Sequence, residues 1–194
     1  MIMSRLFYAL LLVIVSLPVF ADEHIFTPMI GVSNWSDTTG HTARGNELSF
    51  RDHNETTYGF RYLYLLDNKF AFGGNIYVHD MDVTTSSQAN DAGVAHVHAL
   101  AEYFFTLTDN VYFFIGAGLG FSGIGFSGGN LDGEGTGGKS FEINDGFLFR
   151  LSERIGLQIE YKYTSFEMDE DIDNQRTNID TTSHSLLLGL TIHI

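Results

Sequence analysis

Between Val94 and Phe121 the side chains change character at every residue, up one run and back down another, across the turn Leu107-Thr108-Asp109-Asn110. Ala95, Val97, Ala99, Ala101, Tyr103 and Phe105 share one face, and His96, His98, Leu100, Glu102 and Phe104 share the other. After the turn, Val111, Phe113, Ile115, Ala117, Leu119 and Phe121 alternate with Tyr112, Phe114, Gly116, Gly118 and Gly120. A period of two bounded by an Asx-rich turn predicts an antiparallel hairpin. The mixed face carries histidine, glutamate, rings and a Gly-x-Gly-x-Gly run, which suits a crowded lumen rather than open solvent. The uniformly apolar face suits hydrocarbon. The expected fold is therefore a barrel turned inside out.

The same pattern recurs along the chain. Strands are expected at Phe26–Trp35, Thr56–Leu66, Phe70–Asp80, Val94–Phe105, Val111–Phe121, Phe141–Leu151, Ile155–Phe166 and Thr182–Ile194. Each is near the ~9–11 residues that a tilted membrane-spanning strand needs. Pro28 blurs the first register and fits best near a strand start or edge. Asp145 falls on the apolar face, which places the start of the embedded segment just after it. Tight turns at Asp67-Asn68-Lys69, Leu107–Asn110 and Ser152-Glu153-Arg154 alternate with long connections at Ser36–Glu55, Met81–Gly93, Ser122–Lys139 and Glu167–Thr181. The third of these is so rich in glycine that it reads as pure loop. Alternating short and long connections, with an even strand count, mark an outer-membrane barrel with periplasmic turns and extracellular loops. A soluble β-sandwich or lipocalin-like barrel would show the same alternation with its apolar face inside. It has no reason to keep every second connection tight.

The chain of 194 residues divides into two parts. Residues 1–21 read as a secretory signal: Met1 to Arg5 is a short basic start, Leu6 to Val15 is apolar, and Val19-Phe20-Ala21 offers a cleavage site. Residues 22–194 form the barrel domain. No later segment has the ~18–20 consecutive apolar residues of a spanning helix. The absence of cysteine excludes disulfides, lipoprotein attachment and thiolate metal sites. A net charge of −14 argues against nucleic acid as a partner.

These features resemble the small eight-stranded outer-membrane β-barrel superfamily of Gram-negative bacteria, the group of OmpX, the OmpA membrane domain and opacity-type porin-family proteins. The chain also resembles accessory colonisation factors of the same barrel type. Gly189, Ile192 and Ile194 match that group's C-terminal signal, with departures at Leu187, where a polar residue is usual, and at Ile194, where an aromatic is commoner. The resemblance implies an all-β, eight-stranded, antiparallel up-and-down transmembrane barrel in the cell outer membrane. It also implies contact with membrane lipids and lipopolysaccharide, insertion by the barrel-assembly machinery through the last strand, and a monomer.

Candidate sites follow from the faces. Arg61, Arg150 and Lys162 and Glu102, Glu142 and Glu160 all point inward. A lumen only wide enough for side chains tolerates them as a paired cross-strand network. His96 and His98 lie on one face, so they could chelate zinc or copper or simply join that network. Asp169, Asp171, Asp173, Gln175, Thr177 and Asp180 have the spacing of a calcium loop, but Asn174 stands where glycine belongs; an acidic hairpin tip is the plainer reading. No other cofactor is expected. Ser183-His184-Ser185 is the nearest approach to a nucleophile set, but His184 faces lipid and has no acid partner. The expected role is non-enzymatic: four loops on a rigid barrel serving surface interaction, adhesion or envelope integrity. A narrow channel or small-solute porin is the alternative, and a lipid A-modifying enzyme comes third.

Overall fold

The computed structural model describes residues 23–42, 47–50, 55–66, 69–84, 89–127, 135–172 and 175–194. The signal segment 1–21 lies outside them. The elements are β1 (Glu23–Thr42), β2 (Glu47–Phe50), β3 (Glu55–Leu66), β4 (Phe70–Thr84), β5 (Ala89–Thr108), β6 (Val111–Ser127), β7 (Gly135–Arg150), β8 (Ile155–Ile172) and β9 (Gln175–His193). β1, β3, β4, β5, β6, β7, β8 and β9 pair antiparallel in that order, and β1 also pairs with β9, closing these eight into a barrel. The seam is finished by two reciprocal backbone bonds, His24 N–H to Ile194 O at 3.0 Å and Ile194 N–H to His24 O at 2.9 Å. β2 is the short ninth strand; it sits on the first arm and pairs with β1 and β4.

Register fixes the shape. Cross-strand partners starting at Ile25 run through Leu63, Gly73, Leu100, Gly118, Glu142, Thr164 and Ser183 and return to β1 at Trp35, ten residues higher. Eight strands with that stagger must tilt, by the ~35–45° usual for such barrels.

The faces are inverted relative to a soluble protein. Ile115, Leu188 and Leu190 are 46%, 57% and 45% exposed, while Arg61, Glu142, Glu160 and Lys162 are fully buried. Alternation located the eight barrel strands and their faces, but not β2, which lies inside the expected loop Ser36–Glu55. Four expectations change. The supposed loops are largely strand: β4–β5 pairing continues to Thr84↔Ala89, β6–β7 to Gly125↔Gly135, and β8–β9 to Ile172↔Gln175. An arm standing clear of the bilayer needs no apolar face, so alternation fades although the hydrogen-bond ladder continues. Even the glycine-rich segment pairs, with Gly123 opposite Gly137. Pro28 sits inside β1, opposite Phe60. On its other side the β1–β9 ladder skips Thr27 and Pro28, which accommodates the missing N–H. Asp145 is not at the edge of the embedded segment, for exposed Phe147 and Phe149 lie on one side of it and exposed Ile143 and Phe141 on the other.

Candidate functional site: a layered, closed lumen

The described short turns at 109–110 and 152–154 share one rim with Glu23 and Ile194, and the inward side chains stack in layers above it. At the rim, Arg150 donates to Glu23 at 2.8 and 3.1 Å, and His193 Nδ1 lies 2.5 Å from Glu23. This ties β1, β7 and β9 together at the mouth. Next comes an apolar plug of Ile25, Leu63, Leu65, Ala71, Leu100, Phe104, Phe114 and Leu148, with Tyr112 packed against it. A cavity of about 10 Å³ lies there among Ile25, Leu65, Phe104, Tyr112, Leu148 and Arg150, scarcely room for one water.

Above the plug lies the ionic layer. Arg61 Nη1 donates to Glu102 at 2.9 Å and to Glu160 at 3.1 Å, and its Nη2 donates to Gln158. Lys162 Nζ lies 3.3 Å from both Glu142 and Glu160. Asn144 donates to Glu102 at 2.7 Å, Asn75 to Glu142 at 2.8 Å, and Gln158 to Glu160 at 2.6 Å. Rings cap both cations, Phe114 lying 5.0 Å from the Arg61 guanidinium carbon and Tyr77 lying 4.5 Å from Lys162 Nζ. Two cations thus bind three carboxylates into one connected set. His98, with Nδ1 2.9 Å from Glu142, stands beside the surplus one. Low polarity strengthens each of these contacts and makes an unpaired member costly.

The third layer is aromatic. His96 stacks on Tyr77 at 4.5 Å, Trp35 meets His79 edge-on at 4.5 Å, and Phe166 packs against Trp35 and His96. Val94 and Ile124 are buried near the top of the described lumen.

Glycine makes this filling feasible. A Cβ on Gly116 would sit 2.5 Å from Glu102 Cγ, and one on Gly118 would sit 2.6 Å from Leu100 Cδ2. The Gly-x-Gly-x-Gly run is the space into which larger neighbours lean.

Five of the six inward ions therefore form one network: Arg61, Glu102, Glu142, Glu160 and Lys162. Arg150 does not join it, because it lies at the rim below the apolar plug and pairs with Glu23 instead. Glu23 precedes the first strand read from the sequence, so no facing pattern pointed to it. Asn75, Asn144 and Gln158 have the inward parity but are polar rather than charged, so the charge pattern passed over them. His96 and His98 do not converge on one point. His98 turns to Glu142 and Ser140, while His96 meets Ser122 at 2.5 Å and His79 at 3.3 Å. Among the described residues no group of three metal-ligating side chains is arranged to hold an ion. The backbone at Asp169, Asp171 and Asp180 runs in the paired β8–β9 arm, opposite Asn178, Arg176 and Glu167, rather than winding as a calcium loop does. Asp173 lies outside the described residues. Ser183 and Ser185 point inward and His184 outward, where it meets the Tyr161 hydroxyl at 2.6 Å.

Residues 7–191 match the family model described as the outer membrane protein β-barrel domain. No curated protein matches by sequence. Among solved structures, OprG from Pseudomonas aeruginosa superposes with a TM-score of 0.62 at 13% identity, covering 90% of this chain and 96% of that one. Neisserial surface protein A gives 0.61 at 11% identity, over 88% and 96% of the two chains. Ail, the attachment invasion locus protein of Yersinia pestis, solved with the heparin analogue sucrose octasulfate, gives 0.52 at 16% identity, over 88% and 99%. At such identities the likeness concerns the fold alone.

Proposed function

This chain belongs to the outer membrane protein β-barrel domain family and resides in the cell outer membrane; we propose that it is a sealed, non-enzymatic member that acts through its four protruding hairpin arms. The observation that carries this reading is the closed lumen: Arg61, Glu142, Glu160 and Lys162 have essentially no exposed surface, so no water-sized space touches them. A solute crossing would have to break that network and pass the apolar plug beneath it. The separation of Ser183, His184 and Ser185 onto opposite faces supports the non-enzymatic half of the reading. Rigid scaffolds commonly carry their binding residues on such projections.

The arms also bear on ligand chemistry. Segments 36–55, 81–93, 122–139 and 167–181 hold fourteen of the chain's 24 acidic residues and only four of its ten basic ones. A polyanion such as the heparin analogue bound by Ail would meet repulsion here, so the arms suit a neutral or cationic surface. The barrel itself contacts lipid and lipopolysaccharide, and β9 presents Leu188, Leu190, Ile192 and Ile194 outward for the assembly machinery. Planar-bilayer recording on the refolded protein tests the sealed lumen: baseline current is expected, and large steady conductance overturns it. Retention on immobilised heparin at physiological salt would overturn the charge argument; passage in the void volume is the expected result.

A further inference from the structure

We infer that the outer wall of β7 and β8 is a contact face for a second copy of this chain, held by hydrogen bonds between Asp145 of each copy and Tyr161 of the other. Asp145 points outward between Ile143 and Phe147, which are 48% and 42% exposed, and its cross-strand neighbours Ile115 and Tyr161 also face out. Among the described residues it is the single Asp, Glu, Lys or Arg on the outer face between the lower aromatic ring (Phe70, Tyr103, Phe113, Phe149) and the upper one (Tyr58, Phe121, Phe141, Tyr163). Its carboxyl has no hydrogen bond and no cation within its own chain. A carboxyl in hydrocarbon, ionised or not, calls for a polar partner, and an ionisable residue left there marks a site of interaction.

The wall supplies that partner from itself. Tyr161 is the residue directly across from Asp145. Its hydroxyl meets His184 Nδ1 at 2.6 Å, which occupies one of its hydrogen-bonding capacities and leaves the other facing lipid. A two-fold axis along the membrane normal, placed between β7 and β8, lays β7 of one copy against β8 of the other. On strands about 4.8 Å apart and tilted by ~35–45°, cross-strand neighbours differ in depth by only about 3 Å, which the long tyrosine side chain spans, so that rotation sets each Asp145 against the opposite Tyr161. The contact is made twice, and each wall is complementary to itself, as an isologous dimer requires. The rungs above and below, Ile143↔Tyr163 and Phe147↔Ile159, offer apolar packing around it. In a bilayer, such packing and interchain hydrogen bonds are what drive association. A monomer is the sequence expectation, and the unpartnered Asp145 is the observation against it.

The chain has no cysteine, so crosslinking is unambiguous. Full-length Asp145→Cys and Tyr161→Cys proteins are refolded separately, mixed in lipid vesicles and oxidised. Each mixed dimer keeps one native Asp–Tyr contact, and rapid 145–161 crosslinking is expected. Val97→Cys, exposed on β5 and outside the β7–β8 face, serves as the collision control. Equal crosslinking from Val97→Cys, or none from the mixed pair, overturns the proposal. Without cysteines, Asp145→Leu is expected to cut the dimer fraction about tenfold at fixed protein-to-lipid ratio, while Asp145→Asn, still an acceptor, keeps it. Heat-modifiable migration reports that each variant is folded, and a folded Asp145→Leu that dimerises like the native chain also overturns it.

Discussion

Glu142 and Asp145 sit three residues apart on β7, both bear a carboxyl and meet opposite surroundings. Glu142 points into the lumen, where Lys162, Asn75 and His98 surround its carboxylate. Asp145 points out, with only apolar and ring neighbours in its own chain. Glu142 shows what this barrel can give a carboxylate that it takes out of water, partners on both oxygens. Against that standard Asp145 is an exception, and exceptions of this kind are what point to partners. The inner wall is a tightly specified core of apolar, ionic and aromatic layers. The outer wall is loosely specified, with hydrocarbon as its solvent.

The sharpest test of that contrast removes a hub from the inner wall. Arg61→Met keeps most of the volume but leaves Glu102 without a cation and Glu160 with Lys162 alone. Breaking a buried pair in this way costs roughly 3–5 kcal/mol. Urea unfolding in lipid vesicles, followed by heat-modifiable gel migration, should show the midpoint fall accordingly. Combining it with Glu102→Gln and Glu160→Gln should recover most of the loss, because no unpaired charge then remains. If the single variant unfolds like the native chain, the network does not hold the lumen.

How much of this was legible beforehand follows from which solvent each part meets. Wherever one face meets hydrocarbon and the other a packed lumen, alternation is strong, and Val94–Phe121 alone fixed strand, face and turn. The arms stand beyond the hydrocarbon band, where no apolar face is required, so Ser122–Lys139 looked like loop while its described backbone, residues 122–127 and 135–139, lies in β6 and β7. Inward parity brought Arg61, Glu102, Glu142, Glu160 and Lys162 together, but parity says nothing of depth. Depth comes from the ten-residue stagger, and that separates Arg150 from the other five by a plug of Ile25, Phe104 and Leu148. The same coordinate places Asp145 in mid-band rather than at its edge.

Adjacent residues on β6 test the contrast at a smaller scale. Gly116→Ala places a methyl 2.5 Å from Glu102 Cγ and 2.7 Å from Asn144 Oδ1. Both side chains are held by hydrogen bonds and yield poorly, so overpacking should cost about 1–3 kcal/mol. Ala117→Val adds two methyls on the neighbouring position, facing lipid, and should leave the unfolding midpoint unchanged within about 0.5 kcal/mol. Equal effects from the two would mean that the lumen is not packed as described.

The smallest expected effect lies at the rim, where the inner wall meets water. Arg150→Gln removes the ion pair with Glu23, whose side chains are 25% and 15% exposed. Solvent reaches this pair, so its loss should cost less than about 1 kcal/mol at low salt. Salt should erase even that difference, since near 1 M the screening length shrinks to about 3 Å. Arg61→Met should show no such salt dependence, because mobile ions cannot enter a lumen that water does not. Measuring both variants across the same salt series therefore separates a solvated pair from a sealed one. A strong salt response at Arg61 would mean that the lumen is open.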